Sequence, residues 1–167
     1  MPHLLHLRIL RKGNSGFSLL CLTRGIAILV GNGKIYAVPV KKGVVNKSKA
    51  VEIEFREVDR EIALNYEQCF HYIHNNRNFS HAFGLFLKGY KYLYAISILD
   101  FLYSRKEDFK IKFLRQAGIN PEQCVDEIRL YSFPWVPMLS SSLLANLVRK
   151  HLIQNYPDIT TSITAVN

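Results

Sequence analysis

Cysteine is scarce in this sequence, and its placement argues against a disulfide-stabilised fold. The three cysteines among 167 residues are Cys21, Cys69 and Cys124, which are far apart, odd in number and surrounded by apolar residues. This pattern predicts buried thiols in an intracellular, reducing compartment such as the cytoplasm or an organelle matrix. We expect no signal peptide either, because the N-terminal leucines alternate with histidine and arginine instead of forming a continuous apolar segment.

No apolar segment has the length of a membrane-spanning helix. The most apolar stretch, 79–103, is interrupted by Lys88, Lys91 and Asp100, which leaves 92–99 as its longest uncharged run. A spanning helix needs about 20 apolar residues. We therefore interpret 79–103 as the buried centre of a globular domain.

The motifs of nucleotide-dependent and nucleophilic enzymes are missing as well. The chain has no GxSxG, Walker or dinucleotide-binding sequence, and its Gly-rich segments 13–16 and 31–34 are typical of hairpin turns. Glu52 and Glu54 lie on one face of a predicted strand, where paired carboxylates could bind magnesium in a small nuclease. A solvent-exposed strand face balanced by Arg56 explains them better. An enzyme is therefore the least favoured interpretation, and we expect no catalytic residue.

Four residues come into question as ligands of a zinc ion. His71 and His74 are three apart in a predicted helix, and Cys69 and His81 are close to them in the sequence. Structural zinc sites take four nitrogen or sulfur ligands, usually in pairs of fixed spacing. Such pairs are missing, and Cys69 lies opposite His71 in an apolar stripe of the predicted helix. That stripe consists of Ile62, Tyr66, Cys69, Phe70 and Ile73. We therefore expect exposed histidines, no metal and no cofactor.

The residues that are present divide the chain into a strand-rich first third and a helical remainder. Alternating apolar residues predict five strands between residues 3 and 58, and Asn32-Gly33 is the signature of a tight hairpin. Pro39 cannot donate a backbone hydrogen bond, so it should lie at a sheet edge or at a strand end. The predicted fold class is α+β, beginning with a five-stranded antiparallel sheet or partly open barrel in 1–58.

The rest of this single predicted domain (1–167) is expected to be a bundle of about five helices in 59–156, followed by a polar, frayed tail, 157–167. Apolar spacing and helix caps carry this prediction. The predicted helices are 59–75, two within 79–103 separated at Gly89, 104–118, one starting at Asn120, and one starting at 140–142 and ending before Pro157.

The net charge is the composition feature that bears on function. The chain carries +9, of which residues 1–60 contribute +7 (11 basic and 4 acidic side chains). An excess of this size on one part of a fold indicates a polyanionic partner, either nucleic acid or an anionic membrane surface. The segment 41–50, which we call the lysine loop, contains four lysines and no acidic residue.

Basic residues interleaved with an aromatic ring form the candidate nucleic-acid interface. In such an interface, cations bind phosphates and rings stack on bases. Tyr36 should share a strand face with Lys34. The candidate residues are Arg8, Arg11, Lys12, Arg24, Lys34, Tyr36, Lys41, Lys42, Lys47 and Lys49. A second basic group, including Lys88, flanks the aromatic stretch 79–103 and is expected to extend from apolar surface.

A short aromatic segment, 131–139, is the candidate protein-binding site. Two prolines make it irregular, and it contains Tyr131, Phe133 and Trp135, residue types that dominate interface hot spots. The segment could equally cover the domain's own core, and the sequence leaves both alternatives open.

Together these features favour a non-enzymatic RNA-binding or ribonucleoprotein structural component, of ribosomal or viral type. The alternative is a peripheral-membrane, matrix-type or protein-interaction protein that uses the same cations on anionic lipid.

Overall fold

The computed structural model describes residues 17–23, 26–42, 44–70, 78–91, 93–104, 106–133 and 140–164. In these residues, nine strands form one sheet and three α-helices accompany it. The strands are β1 (Phe17–Thr23), β2 (Ile26–Gly31), β3 (Lys34–Lys41), β4 (Val44–Val45), β5 (Val51–Glu57), β6 (His81–Leu87), β7 (Leu93–Phe101), β8 (Cys124–Ser132) and β9 (Thr161–Thr164). The helices are α1 (Arg60–Phe70), α2 (Phe109–Gln116) and α3 (Ser140–Asn155), and 3₁₀ turns occur at Lys47–Lys49, Leu102–Ser104 and Pro121–Gln123.

The sheet is antiparallel except at one edge. Its order is β1-β2-β3-β5-β6-β7-β8-β9, while β4 pairs with β3 outside this path. Among the described strands, only β8 and β9 pair in parallel, and the connection between them contains α3. A parallel pair requires such a long crossover, whereas antiparallel neighbours can be joined by short turns. The chain therefore proceeds across the sheet from β1 to β8 and returns through α3 to complete the far edge.

The strands predicted at β1, β2, β3 and β5 are present, but the expected five-stranded sheet within 1–58 is wrong, because these strands belong to one nine-stranded sheet that continues through the second half. The short strand β4 lies in a segment predicted to be a loop. Asn32 and Gly33 have positive φ angles of 52° and 73°, so the hairpin of β2 and β3 is confirmed. Pro39 lies near the end of β3, beyond the residues Ile35–Ala37 that pair with β5. The expected first strand, before residue 12, lies outside the described residues.

The predicted helical bundle is wrong, because 79–103 forms the hairpin of β6 and β7. Gly89, with a φ of 80°, lies in the turn, where the Tyr90 N–H donates to the Leu87 carbonyl at 2.9 Å. All nine residues of β7 are buried. A strand covered on both faces has a continuous apolar sequence without alternation. The apolar residues of β7 therefore also match the spacing of a helix face, which is why the sequence predicted a helix here.

Two further expectations for the second half are also wrong. Asn120 and Pro121 start a turn as predicted, since the Asn120 side chain accepts from the Glu122 N–H at 3.1 Å, but a single 3₁₀ turn is followed by strand β8. The segment 161–164 of the predicted frayed tail forms β9. In both places a strand partner distant in sequence decides the conformation, and local signals do not contain that information.

The helix predictions were correct where an amphipathic face or a cap decides the structure. Helix α3 buries Leu144, Val148 and Leu152, as its apolar spacing indicated. Helix α2 begins after Asp108, rather than at the expected Ser104, because the Asp108 side chain accepts from the Ile111 N–H at 3.0 Å. The helix ends at Gln116, and Gly118 follows the C-cap residue Ala117 with a φ of 74°, as predicted.

The core lies on both faces of the sheet. On one face, β6 and β7 pack against α3 through a cluster that includes Phe83, Leu99 and Leu144. On the other face, Ala82, Phe86 and neighbouring residues pack against Ala63 of α1. This two-sided cover explains why the central strands contain so few exposed positions.

Helix α1 buries a different face from the one predicted. Its described buried residues are Ala63 and Glu67, whereas Ile62 and Phe70 of the expected apolar stripe are about half exposed. The reason is electrostatic, since the Glu67 carboxylate faces Arg129 of β8 at 3.3 Å.

Candidate nucleic-acid interface

The lysine loop (41–50) is built from the end of β3, the short strand β4 and a 3₁₀ turn. Lys41 pairs with Val44 across a tight turn, in which Lys42 has a positive φ of 50°. The Asn46 N–H donates to the Pro39 carbonyl at 2.9 Å, and the Ala50 N–H closes the 3₁₀ turn on the Lys47 carbonyl at 3.2 Å. Backbone hydrogen bonds therefore give this polar segment a defined shape.

The four lysines of the loop and Val44 are exposed, while Val45 faces inward. Lys41, Lys42, Lys47 and Lys49 are all in the exposed class, whereas Val40 of β3 and Val45 of β4 pack against an apolar cluster of β2 and β3. The first acidic residue of the chain is Glu52, so nine basic side chains precede any carboxylate. Among the described residues, no ion pair of Lys41, Lys42 or Lys49 is found.

Lys34 has a different environment, because it shares a carboxylate partner with Lys88. The Glu52 Oε2 atom lies 3.1 Å from Lys34 Nζ and 2.9 Å from Lys88 Nζ. Hydrogen bonds from Lys88 and then Lys34 lower the pKa of Glu52, while the bond to Glu52 raises the pKa of Lys88. The single Glu52 charge therefore offsets one of the two ammonium charges, and the group adds less to the basic surface than two unpaired lysines would.

The same arrangement bears on the pair of carboxylates considered for a nuclease. Glu52 and Glu54 do lie on one face of β5, together with Arg56, whose guanidinium lies 3.9 Å from the centre of the Phe86 ring. Because two ammonium groups hold Glu52 ionised, it is poorly suited to accept a proton near neutral pH. The sequence did not predict that Lys88 pairs with Glu52. The two residues are 36 positions apart, and the pairing of β5 with β6 brings them together.

Tyr36 shares its strand face with Lys34, and it lies directly opposite Glu52 on β5. Its ring is half-buried against the apolar cluster of Ala27, Leu29 and Val38. Only part of the ring is therefore available for stacking on a base. The remaining candidates, Arg8, Arg11, Lys12 and Arg24, lie outside the described residues.

The aromatic segment is described as far as Phe133. Phe133 is 7% exposed and packs edge-on against Phe70 and Tyr131, at ring-centroid distances of 5.0 and 5.3 Å. The positions of Phe133 and Tyr131 favour the alternative in which the segment covers the domain's own core. Trp135 lies outside the described residues, and contact with a partner through 131–139 stays a prediction.

The histidines considered for zinc are not brought together in the described part of the chain. There, no group of three potential ligands is close enough to hold a metal ion, and His71 and His74 lie outside it. Cys69 is exposed rather than buried as predicted. His81 instead contacts Glu57 Oε1 at 2.7 Å through Nδ1 and the Tyr156 hydroxyl at 3.3 Å through Nε2. This network connects β5, β6 and the end of α3, and sequence analysis did not anticipate it.

Among the described residues, no helix combines the length and apolar character needed to cross a bilayer. None of the family models, curated proteins or solved structures compared with the chain matches it. A function must therefore be inferred from the protein's own residues.

Proposed function

We propose that the protein binds RNA without catalysis and serves as a structural component of a ribonucleoprotein. The observation that carries this proposal is the cluster of four exposed lysines in the lysine loop, within the first 51 residues, which contain no acidic side chain. A group of exposed cations attracts a polyanion, and each ammonium group can contact one phosphate.

RNA is favoured over an anionic membrane because the loop lacks an apolar anchor. Segments that bind at a membrane surface combine cations with exposed tryptophan, phenylalanine or leucine. The only large apolar side chain that the described part of the lysine loop exposes is Val44. The loop therefore offers charge for phosphate groups but little surface for insertion among lipids.

We place this function in an intracellular, reducing compartment, in the cytoplasm or an organelle matrix. Cys69 and Cys124 are free thiols. Cys69 is exposed, and an exposed thiol remains reduced most readily in such a compartment. Burial raises the pKa of Cys124, which disfavours the reactive thiolate form of this residue.

The test compares RNA binding of the wild-type protein with that of the quadruple variant Lys41→Gln, Lys42→Gln, Lys47→Gln, Lys49→Gln. The probe is a fluorescently labelled single-stranded RNA of mixed sequence, titrated at several salt concentrations. We expect the variant to bind at least tenfold more weakly at low salt. The slope of log affinity against log salt should decrease by up to about 3, since each contact to a single strand contributes about 0.7.

A matched control removes four exposed lysines elsewhere. The variant Lys91→Gln, Lys106→Gln, Lys112→Gln, Lys150→Gln carries the same net charge, and its substitutions lie in exposed positions. It should retain most of the affinity and the salt slope. An equal loss in both variants would mean that net charge alone drives binding and would overturn the role of the loop.

Vesicles containing phosphatidylserine provide the second comparison. If the wild-type protein binds these vesicles through the lysine loop but does not bind the RNA, the polyanion is a lipid surface and the RNA proposal is wrong.

The variant Glu52→Gln adds a further readout, because it frees Lys34 and Lys88. It should bind RNA more tightly than the wild-type protein.

A further inference from the structure

A cleft separates α3 from the far edge of the sheet. It has a volume of about 410 Å³, within the range of about 300–1,000 Å³ that is typical of small-molecule sites. Its apolar lining comes from β7, β8, α3 and the segment before β9, and consists of Leu99, Val125, Ala145, Val148, Leu152, Ile153 and Ile159. The cleft is separated from the lysine loop by the central strands of the sheet.

Two side chains of opposite charge line this apolar cleft. Glu127 comes from β8, and Arg149 comes from α3. Among the described residues neither of them makes an ion pair, with the other or with a third residue. Glu127 is partly buried and Arg149 is exposed, so the cleft presents one acidic and one basic residue that no other described charge neutralises.

The Glu127 carboxylate is held in position by hydroxyl groups. Ser97, which is completely buried, donates to Oε1 at 3.0 Å, and Thr164 of β9 donates to Oε2 at 3.2 Å. Each carboxylate oxygen can accept a second hydrogen bond. Two donors therefore fix the carboxylate and leave half of its acceptor capacity for a ligand.

The Arg149 guanidinium provides the complementary group. It is exposed and follows Val148 on the side of α3 that borders the cleft. A guanidinium forms two parallel hydrogen bonds with a carboxylate. A ligand with only one charge would leave one of the two protein charges without a partner, whereas a zwitterion would satisfy both.

We propose that this cleft binds a small zwitterion with an apolar side chain, the simplest being an apolar α-amino acid. Its ammonium group contacts Glu127, its carboxylate contacts Arg149, and its side chain packs against the apolar lining. Binding at this site does not depend on the RNA-binding function.

The experiment measures binding of L-leucine and L-phenylalanine to the full-length protein by isothermal titration calorimetry. Leucine amide lacks the carboxylate and N-acetyl-leucine lacks the ammonium group. We expect each derivative to bind at least tenfold more weakly than leucine. If N-acetyl-leucine and leucine amide bind as tightly as leucine, or if neither amino acid binds, the proposal is wrong.

Variants assign the two contacts. Glu127→Gln keeps oxygen and nitrogen atoms near Ser97 and Thr164 but removes the charge, and Arg149→Gln removes the opposite charge. Each should weaken leucine binding at least tenfold. The controls Glu122→Gln and Lys150→Gln remove like charges from exposed positions that do not line the cleft, and they should bind normally.

One more variant tests the location without changing the charge. Ala145→Leu adds volume to the cleft wall and should block binding, while circular dichroism verifies that the variant is folded. Unchanged leucine affinity in this folded variant would overturn the assignment of the cleft. The quadruple lysine-loop variant should bind leucine like the wild-type protein, so failure of one proposal leaves the other testable.

Discussion

Glu67 and Arg129 form an ion pair that is almost completely removed from solvent. Their side chains are 1% and 9% exposed, and Arg129 Nε lies 3.3 Å from Glu67 Oε1. Arg129 Nη1 also donates to the carbonyl of Ile128 at 2.8 Å. Desolvation of two charges offsets much of their attraction. The pair therefore orients α1 on the sheet more than it adds to the free energy of unfolding.

Residue patterns could not reveal this pair. The apolar spacing of α1 predicts that Ile62 and Phe70 face inward, but both are about half exposed. The lysine loop was easier to identify, because its four lysines lie within ten residues. The partners of Lys34 and Lys88 depend on strand pairing, which composition does not report.

We predict that Glu67→Ala lowers the free energy of unfolding by about 3–5 kcal/mol, because it leaves the Arg129 charge buried without this partner. The double variant Glu67→Leu, Arg129→Met should recover most of this loss. Urea denaturation measures the free energy of unfolding of both variants. The control Glu61→Ala changes a residue on the exposed side of α1, and its free energy of unfolding should lie within about 1 kcal/mol of the wild-type value. A loss in the double variant as large as in Glu67→Ala would contradict the ion-pair explanation.

The hairpin of β6 and β7 is the element on which the second half of the protein is organised. It pairs with β5 on one side and with β8 on the other, and its residues contribute to the clusters on both faces. Because both faces are covered, its sequence has no period-2 alternation. Its spacing of apolar residues therefore resembled a buried helix, whereas the exposed strand face of β5 produced a clear alternation and a correct prediction.

Gly89 distinguishes the hairpin from the helix that the sequence suggested. We predict that Gly89→Ala lowers the free energy of unfolding by about 1–2 kcal/mol, because an L-residue is strained at its φ of 80°. Gly89→Asn should be less destabilising, since asparagine tolerates this conformation. In a helix, Gly89→Ala would instead stabilise the protein by about 1 kcal/mol. Urea denaturation distinguishes the hairpin from the helix by the sign of this change. Because the space around Gly89 is open, a steric clash of the added methyl group does not contribute to the measured change.

At the scale of the whole molecule, the strand-rich first third and the remainder are continuous. The β5 residues Ile53–Glu57 pair with Phe83–Leu87 of β6, so one sheet crosses the boundary expected near residue 58. One core cluster contains Ile28 and Ile53 from the first part as well as Leu144 of α3. Sequence patterns located the strands of the first third but could not show that the sheet extends through β6 to β9, because those pairings join residues far apart in the chain.

This continuity predicts that neither part folds without the other. The fragment 1–58 loses the partner strand of β5 and the residues of β6, β7 and α3 that belong to the same core cluster as Ile28 and Ile53, so its apolar face would be exposed to water. We expect isolated 1–58 and 59–167 to show no cooperative thermal transition by circular dichroism, while the intact protein unfolds in one transition. A cooperative transition of 1–58 near the midpoint of the intact protein would establish two independent domains instead. The lysine loop would then have its own scaffold, and its RNA affinity should survive in the fragment.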